Sequence, residues 1–213
     1  MKPILLALVL LASAAHAADG KLKAGTFDPP RLSPDFALEG SDGTALKLSR
    51  YRGKVVMLGF GFTNCPEICP TTLSRLAKAR KKLGGEGKDL QVVYVTVDPE
   101  RDNPERMRTY LTRFDPSFIG ATGTPAQLAQ VQKEFGIHAA RKLGKDPASY
   151  AIDHSSFVYL IDRAGSLRAL MPYGRSAEDF AHDAAILLKQ CRFPPRSSWA
   201  SSRRACSRPR WCR

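Results

Sequence analysis

The sequence lacks an apolar run long enough to cross a membrane. The run at residues 4–15 is shorter than the roughly 20 residues that a membrane-spanning helix requires, and it follows Lys2. It ends at Ala15-His16-Ala17, with small residues at the −3 and −1 positions of a cleavage site, and no Cys follows for lipid attachment. Residues 1–17 therefore predict a secretory signal peptide and export to the periplasm, with an uncleaved N-terminal anchor as the alternative.

Acidic residues are also scarce, since 20 Asp and Glu stand against 33 Lys and Arg, a net charge of +13. Much of this excess lies in residues 189–213, which carry eight Lys or Arg and no acid. Outside that segment the chain is mildly basic and has no stripe of Lys and Arg interleaved with aromatic residues, as single-strand binders have. The composition argues against a nucleic-acid partner.

The last 23 residues, 191–213, lack any apolar period and are rich in Pro, Ser and Arg. A segment of this composition does not bury enough apolar surface to fold. We therefore predict a disordered basic tail and expect no native role for its three cysteines, Cys191, Cys206 and Cys212.

Between a predicted linker at residues 18–29 and this tail, residues 30–190 have the size of one domain. Turn signals and apolar runs predict a hairpin at residues 36–48 and buried strands at residues 54–62 and 90–97. Further strands are predicted at residues 118–121, 156–161 and 167–171, and helices begin after the cysteine pair, Asn103, Thr124 and Ser176. This alternation implies a mixed α/β sheet with helices on both faces, for which a thioredoxin-like fold with an N-terminal β-hairpin is the simplest solution.

Cys65 and Cys69 lie between a buried strand and a helix, where open α/β sheets place chemistry. Each precedes a proline, which disfavours helical geometry, so we expect Cys69 to be extended near the N-cap, with Pro70 as the first helical residue. There the helix macrodipole would favour the Cys69 thiolate. The pair alone is compatible with a structural disulfide, a redox pair or part of a metal site.

His154 stands just before the predicted strand at residues 156–161, a junction that lies beside the cysteine loop in a thioredoxin-like fold. His138 follows the third helix, and His182 points away from the apolar face of the last helix. Position therefore makes His154 the candidate third ligand, whereas His138 and His182 are expected to be ordinary surface residues.

Three blocks, Phe60–Leu73, Val97–Asp102 and Asp153–Ser155, resemble the Sco/SenC family in their order and spacing, within a similarity that covers residues 30–188. The resemblance implies copper bound by Cys65, Cys69 and His154. It implies further that Asp98 lies near the metal, as a tuning group or a secondary ligand, with an acid that opens the turn before the second helix as the alternative. The implied function is delivery of copper to the binuclear copper site of cytochrome c oxidase, or reduction of the cysteines of that site.

The ligand chemistry agrees with copper independently, because soft thiolates stabilise Cu(I) and an imidazole assists Cu(II). Structural zinc usually takes a fourth protein ligand. A general disulfide oxidoreductase has two residues between its cysteines and a facing cis-proline, whereas this chain has three and Ser156. Peroxiredoxin-type peroxidases and a binding module with a structural disulfide are weaker alternatives.

We therefore expect a copper metallochaperone with a redox-active cysteine pair, and leave open whether it is also an enzyme. The expected partners are the copper-site subunit of the oxidase and other periplasmic copper carriers. Membrane contact is expected only through the partner or an uncleaved anchor.

Overall fold

The computed structural model describes residues 20–143 and 150–190, so the predicted signal peptide and the predicted tail lie outside the described residues. The strands are β1 (Gly25–Leu32), β2 (Ala37–Gly40), β3 (Ala45–Lys47), β4 (Val55–Gly61), β5 (Leu90–Thr96), β6 (Ile119–Thr122), β7 (Ala139–Leu143), β8 (Tyr150–His154), β9 (Val158–Ile161) and β10 (Ser166–Met171). The helices are α1 (Ile68–Lys82), α2 (Pro104–Leu111), α3 (Pro125–Phe135) and α4 (Ala177–Lys189). In these two described ranges, no helix is both long enough and apolar enough to cross a membrane.

Eight strands form one mixed sheet in the order β1-β10-β9-β4-β5-β6-β2-β3. The central strands β4, β5 and β6 are parallel, and every residue of β4 and β5 is buried. These strands read as continuous apolar runs because both of their faces are covered. The predicted thioredoxin-like α/β class is confirmed.

The N-caps of α2, α3 and α4 form where the sequence predicts them. Asn103 caps α2 ahead of Pro104, and Thr124 forms a capping box at the start of α3. Ser176 does the same for α4. Gly136 ends α3 at a φ of 67°, a left-handed conformation that glycine adopts without steric cost.

The two faces of β4 meet different helices. A Cβ on Gly61 would meet the Cys69 side chain of α1, whereas Phe60 packs against Phe135 of α3, with ring centroids 5.6 Å apart. Successive side chains of a strand point to opposite faces, so α1 and α3 cover opposite sides of the sheet. The site described below lies on the α1 side.

The structure differs from the sequence prediction at two elements. The predicted linker at residues 18–29 overlaps β1, which pairs with β10 at the sheet edge and changes register between Thr26 and Arg31. Pro29 and Pro30 concealed this strand, because a proline has no N–H for a ladder and is accepted only at edges or irregularities. The second difference is a separate two-stranded sheet, β7 and β8, which precedes β9 and carries His154.

Candidate metal centre

The cysteine loop enters α1 two residues earlier than the sequence predicts. Helix α1 begins at Ile68 with Glu67 as N-cap, so Cys69 is its second residue and not an extended residue before it. Pro70 is accepted in the first helical turn because backbone N–H groups there have no intrahelical acceptor. The steric bias that a proline places on the preceding residue does not exclude Cys69 from the helix. The Cys69 N–H instead donates to the Cys65 sulfur at 3.4 Å.

The two sulfurs differ in exposure and in charge. Cys65 is half-buried and Cys69 is 1% exposed, and both are free thiols. The hydrogen bond from Cys69 is the main cause that lowers the pKa of Cys65 to about 4. The same contact, followed by burial, raises the pKa of the Cys69 thiol. The thiolate therefore falls on Cys65 and not on Cys69, where the helix macrodipole favoured it, because the neighbouring Cys65 sulfur and burial both raise the pKa of Cys69.

His154, the last residue of β8, presents one ring nitrogen to this pair. Its Nδ1 lies 2.9 Å from the Ser155 carbonyl oxygen, which can only accept, so Nδ1 carries the hydrogen. In the neutral ring Nε2 then carries the lone pair, and it lies 3.8 Å from the Cys69 sulfur. The ring also meets Phe62 edge-on, with centroids 5.9 Å apart. A backbone carbonyl thus fixes the tautomer that a metal ligand requires.

Of the three predicted ligands, Cys65 lies next to Cys69, and Cys69 lies next to His154. Across residues 20–143 and 150–190, no group of three His, Cys, Asp or Glu side chains has the spacing of a ready-made metal site. The donor types nevertheless fit copper, since two sulfurs and an imidazole nitrogen lie next to one another. A metal bound by all three would have to draw the side chains closer together.

The segment that leads into Cys65 is anchored by a buried carboxylate. Asp102 is fully buried and accepts hydrogen bonds from the Thr63 N–H at 2.9 Å and from the Thr96 hydroxyl at 2.7 Å. Arg106 of α2 also donates to the Thr63 hydroxyl at 2.8 Å. The cysteine loop is therefore held by hydrogen bonds that join the end of β4 to the end of β5 and to α2.

Asp98 is buried but both of its oxygens are occupied. Arg101 Nε donates to Oδ2 and the Tyr150 hydroxyl donates to Oδ1 at 2.7 Å. The Arg101 guanidinium lies 3.7 Å from the Tyr150 ring centroid and 5.7 Å from that of Phe62. Asp98 is thereby tied to the first residue of β8, the strand that ends at His154.

A family model described as SCO1/SenC matches residues 24–189. The chain belongs to the SCO1/SenC family. An SCO2-like protein of Rickettsia conorii is 38% identical over 139 residues, which cover 65% of this chain and 68% of the relative.

Solved Sco structures share the fold. Bradyrhizobium japonicum ScoI with copper bound is 32% identical, with a TM-score of 0.68 over 74% of this chain and 99% of that one. Yeast Sco1 with copper bound is 30% identical, with a TM-score of 0.69 over 81% and 96%. BsSco, described as a member of the Sco family of cytochrome c oxidase assembly proteins, has the same fold at 23% identity and a TM-score of 0.59 over 75% and 95%.

In this SCO1/SenC chain, sequence reasoning missed Tyr94, which lies close to the predicted ligands, and Tyr150, which binds Asp98. Tyr94 of β5 lines a small cavity together with Cys69 and His154. The alternation Gly-Phe-Gly-Phe in β4 is the signal that could have found it, because glycines inside a buried strand mark close approach of another group. Tyr150 gave no such signal, since the hairpin that contains it was not predicted.

Two other histidines belong to the described residues, and the backbone of one of them, His138, bonds to Ser155 beside His154. His138 is exposed at the entry to β7, and the His182 ring on α4 lies 2.9 Å from an Asp183 oxygen. Cys191, Cys206 and Cys212 lie outside the described residues.

Proposed function

We propose that this SCO1/SenC family member is an exported copper metallochaperone that binds copper through Cys65, Cys69 and His154. It delivers the metal to the binuclear copper site of cytochrome c oxidase from the periplasmic side of the membrane. Copper is cargo in this proposal, so the site must both hold the ion and release it.

The observation that carries the proposal is the orientation of His154. With Nδ1 directed at the Ser155 carbonyl oxygen, its Nε2 is the nitrogen left for a metal, and it faces the Cys69 sulfur at 3.8 Å. Beside them, Cys65 offers a thiolate, the form of cysteine that binds metal. The two sulfurs and Nε2 thus provide three adjacent donors, and the Cys69 thiol loses its proton when a metal binds.

The comparisons support the same assignment. The two solved relatives at 30% and 32% identity carry copper, and the Sco family is described, for BsSco, as one of cytochrome c oxidase assembly proteins. The oxidase partner and the periplasmic location are carried over from this membership and from the predicted signal peptide.

The test is the copper content and copper affinity of the reduced protein with each ligand replaced in turn. Cys65→Ser and Cys69→Ser should each remove tight Cu(I) and Cu(II) binding. His154→Ala should weaken Cu(II) more than Cu(I), because two thiolates alone can hold Cu(I) but Cu(II) prefers more ligands. His182→Ala, a histidine on α4 outside the site, is the matched control and should bind copper as wild type does. Wild-type affinity in all three ligand variants would refute the proposed site.

A second candidate function is reduction of the cysteines of the oxidase copper site. The observation that favours it is the low pKa of the half-buried Cys65 thiol, since an accessible thiolate is the attacking species in thiol–disulfide exchange. His154→Ala separates the two functions, because exchange requires only the two sulfurs whereas copper transfer also uses the imidazole. If His154→Ala supports full oxidase assembly under copper limitation and Cys65→Ser does not, the reductase function replaces the chaperone function.

For Asp98, we propose an indirect role. With both carboxylate oxygens engaged by Arg101 and Tyr150, the side chain has its main hydrogen-bonding positions filled and acts on the site by holding β8. A direct copper bond from Asp98 would require one of these two partners to be released.

A further inference from the structure

The buried side chain of Tyr94 extends over two glycines of β4 toward the sulfur of Cys69. Tyr94 is 2% exposed and lies on β5, directly beside Gly59 of the parallel strand β4. A Cβ on Gly59 would come within 2.9 Å of two Tyr94 ring carbons. The tyrosine ring therefore lies flat over the β4 backbone, in space that only glycine leaves free.

Gly61, two residues further along the same face, shows where the hydroxyl ends. A Cβ there would come within 2.0 Å of the Tyr94 hydroxyl oxygen and within 2.8 Å of the Cys69 sulfur. The hydroxyl and the sulfur thus meet over one point of the β4 backbone. Neither Gly59 nor Gly61 has a positive φ, so it is this space, and not backbone conformation, that requires glycine at both positions.

In the contact between Tyr94 and Cys69, the tyrosine hydroxyl is suited to be the hydrogen-bond donor. Burial keeps the pKa of Tyr94 well above its ordinary value, so the phenol stays neutral and retains its hydrogen. Sulfur of a thiol or thiolate accepts such a hydrogen bond. The contact with the Tyr94 hydroxyl, like that with the Phe62 backbone, lowers the pKa of Cys69, against the larger opposing effects of Cys65 and burial.

We propose that Tyr94 is a positioning residue of the copper site, whose hydroxyl donates to the Cys69 sulfur and biases bound copper toward Cu(I). This rests on the copper-binding function proposed above and goes beyond it. A hydrogen bond withdraws electron density from a coordinating sulfur, and hydrogen bonding around the cysteine sulfur tunes the potential of copper sites. A weaker sulfur donor destabilises Cu(II), the harder and more highly charged ion, more than Cu(I).

The test compares Tyr94→Phe with Tyr159→Phe. Tyr94→Phe removes only the oxygen. Tyr159 is a buried tyrosine on the α3 side of the same sheet whose hydroxyl donates to the Phe135 carbonyl oxygen, so its loss also deletes one buried hydrogen bond but lies away from the sulfurs. The ratio of Cu(II) to Cu(I) affinity should rise in Tyr94→Phe by about fivefold, the equilibrium equivalent of one net hydrogen bond. The thiolate-to-Cu(II) charge-transfer band should move to longer wavelength, because the sulfur lone pairs rise in energy.

A metal-free measurement keeps this inference separate from the copper function. At equilibrium with glutathione, the Cys65–Cys69 disulfide and two glutathione thiols exchange with two protein thiols and one glutathione disulfide. Loss of the Tyr94 hydroxyl should shift this equilibrium about fivefold toward the protein disulfide, because a disulfide sulfur is the weaker acceptor. If wild type binds no copper but this shift occurs, the copper function fails and the Tyr94 contact stands.

Two results would overturn the inference. One is a Tyr94→Phe protein that matches wild type in both the band position and the glutathione equilibrium. The other is an equal change in Tyr159→Phe, which would assign the effect to general loosening of the sheet. Gly61→Ala provides a second variant, since its methyl group must displace the hydroxyl or the sulfur and should shift both readouts in the same direction as Tyr94→Phe.

Discussion

The cysteines and the histidine of the site belong to two regions built in different ways. Cys65 and Cys69 follow β4, a strand with every residue buried, and the second of them is sealed into the core. His154 ends a two-stranded sheet, β7 and β8, in which every side chain is exposed or half-buried. The difference indicates that the core fixes the positions of the two sulfurs. The position of the His154 nitrogen depends on the hairpin, which is packed less firmly. A protein that must release its metal can use such a division.

The largest effect we expect concerns which region controls the thiolate. The pKa of Cys65, lowered to about 4, is set first by Cys69 of the core and less by His154 of the hairpin. Alkylation of Cys65 should therefore titrate several pH units below an ordinary thiol, whereas Cys69 stays unreactive. Cys69→Ala should return the midpoint toward the ordinary value, and His154→Ala should move it less. Peptide mapping by mass spectrometry after a brief iodoacetamide pulse at each pH measures both sites.

The sign of the associated stability change follows from the same shift. A thiol whose pKa is lowered by folding stabilises the folded state once it is ionised there, and that contribution is lost as pH falls through the folded value. The stability difference between the reduced wild type and Cys65→Ser should thus shrink as the pH approaches about 4. A midpoint for Cys65 near that of a free thiol, or preferential labelling of Cys69, would contradict the assignment.

The next effect is a direct comparison of packing in the two regions. Leu73, one turn after Cys69 on α1, is fully buried, whereas Leu143 at the end of β7 is 74% exposed. Leu73→Ala should reduce the free energy of unfolding by about 2–5 kcal/mol, the cost of a cavity in a packed core. Leu143→Ala should change it by less than about 0.5 kcal/mol. Urea unfolding of both variants measures the contrast, and equal losses would show that the hairpin is packed as firmly as the core.

The core could be read from the sequence because its elements are specified locally. The apolar runs of β4 and β5, the caps at Asn103, Thr124 and Ser176, and the glycine after α3 each have a short-range cause. The hairpin has none of these features. Strand β7 carries Arg141 and Lys142, and β8 carries Asp153. The hairpin is attached to the core through the bond from Tyr150 to Asp98, which lies some 50 residues earlier in the chain.

The same distinction between local and long-range causes applies to the candidate site. The three ligand positions could be proposed from sequence because cysteine spacing and the resemblance to a family mark them. Only the structure indicates which sulfur is ionised and toward which group Nε2 of His154 points. Each of these depends on burial and on which group donates a hydrogen bond to which. Tyr94 was concealed for a further reason: a tyrosine within a buried strand has the pattern of an ordinary core residue.

A smaller effect should follow from loosening the hairpin alone. Tyr150→Phe deletes the 2.7 Å hydrogen bond to Asp98 and leaves the ring stacked on Arg101. A hydrogen bond to a charged acceptor contributes about 1.5–3 kcal/mol, and its loss should appear as faster amide exchange in residues 139–143 and 150–154. Cu(II) affinity should fall and Cu(I) affinity should hold, because only the nitrogen loses its support. Cu(II) affinity is measured by competition with a chelator of known affinity.

The matched control for this variant is Tyr51→Phe. The Tyr51 hydroxyl is buried, and the described residues give it no hydrogen-bond partner, so its removal should leave both hairpin exchange and Cu(II) affinity unchanged. If Tyr150→Phe also leaves hairpin exchange unchanged, Asp98 does not hold β8, and its role must be sought elsewhere.

The smallest effect is expected at Asp153, although it immediately precedes His154. Its carboxylate pairs with Lys142 at 2.8 Å across the hairpin, and both side chains are more than 60% exposed. Lys142 lowers the pKa of Asp153, but solvent and salt screen a pair of this kind and leave it little net stability. Asp153→Asn should therefore change neither the melting temperature nor Cu(II) affinity measurably at physiological salt. Asp98→Asn, measured alongside, should lower both, because it weakens the buried partner of Arg101 and Tyr150. If Asp153→Asn instead weakens Cu(II) as strongly as Asp98→Asn does, the hairpin places His154 through its own cross-strand charges and not through its attachment to the core.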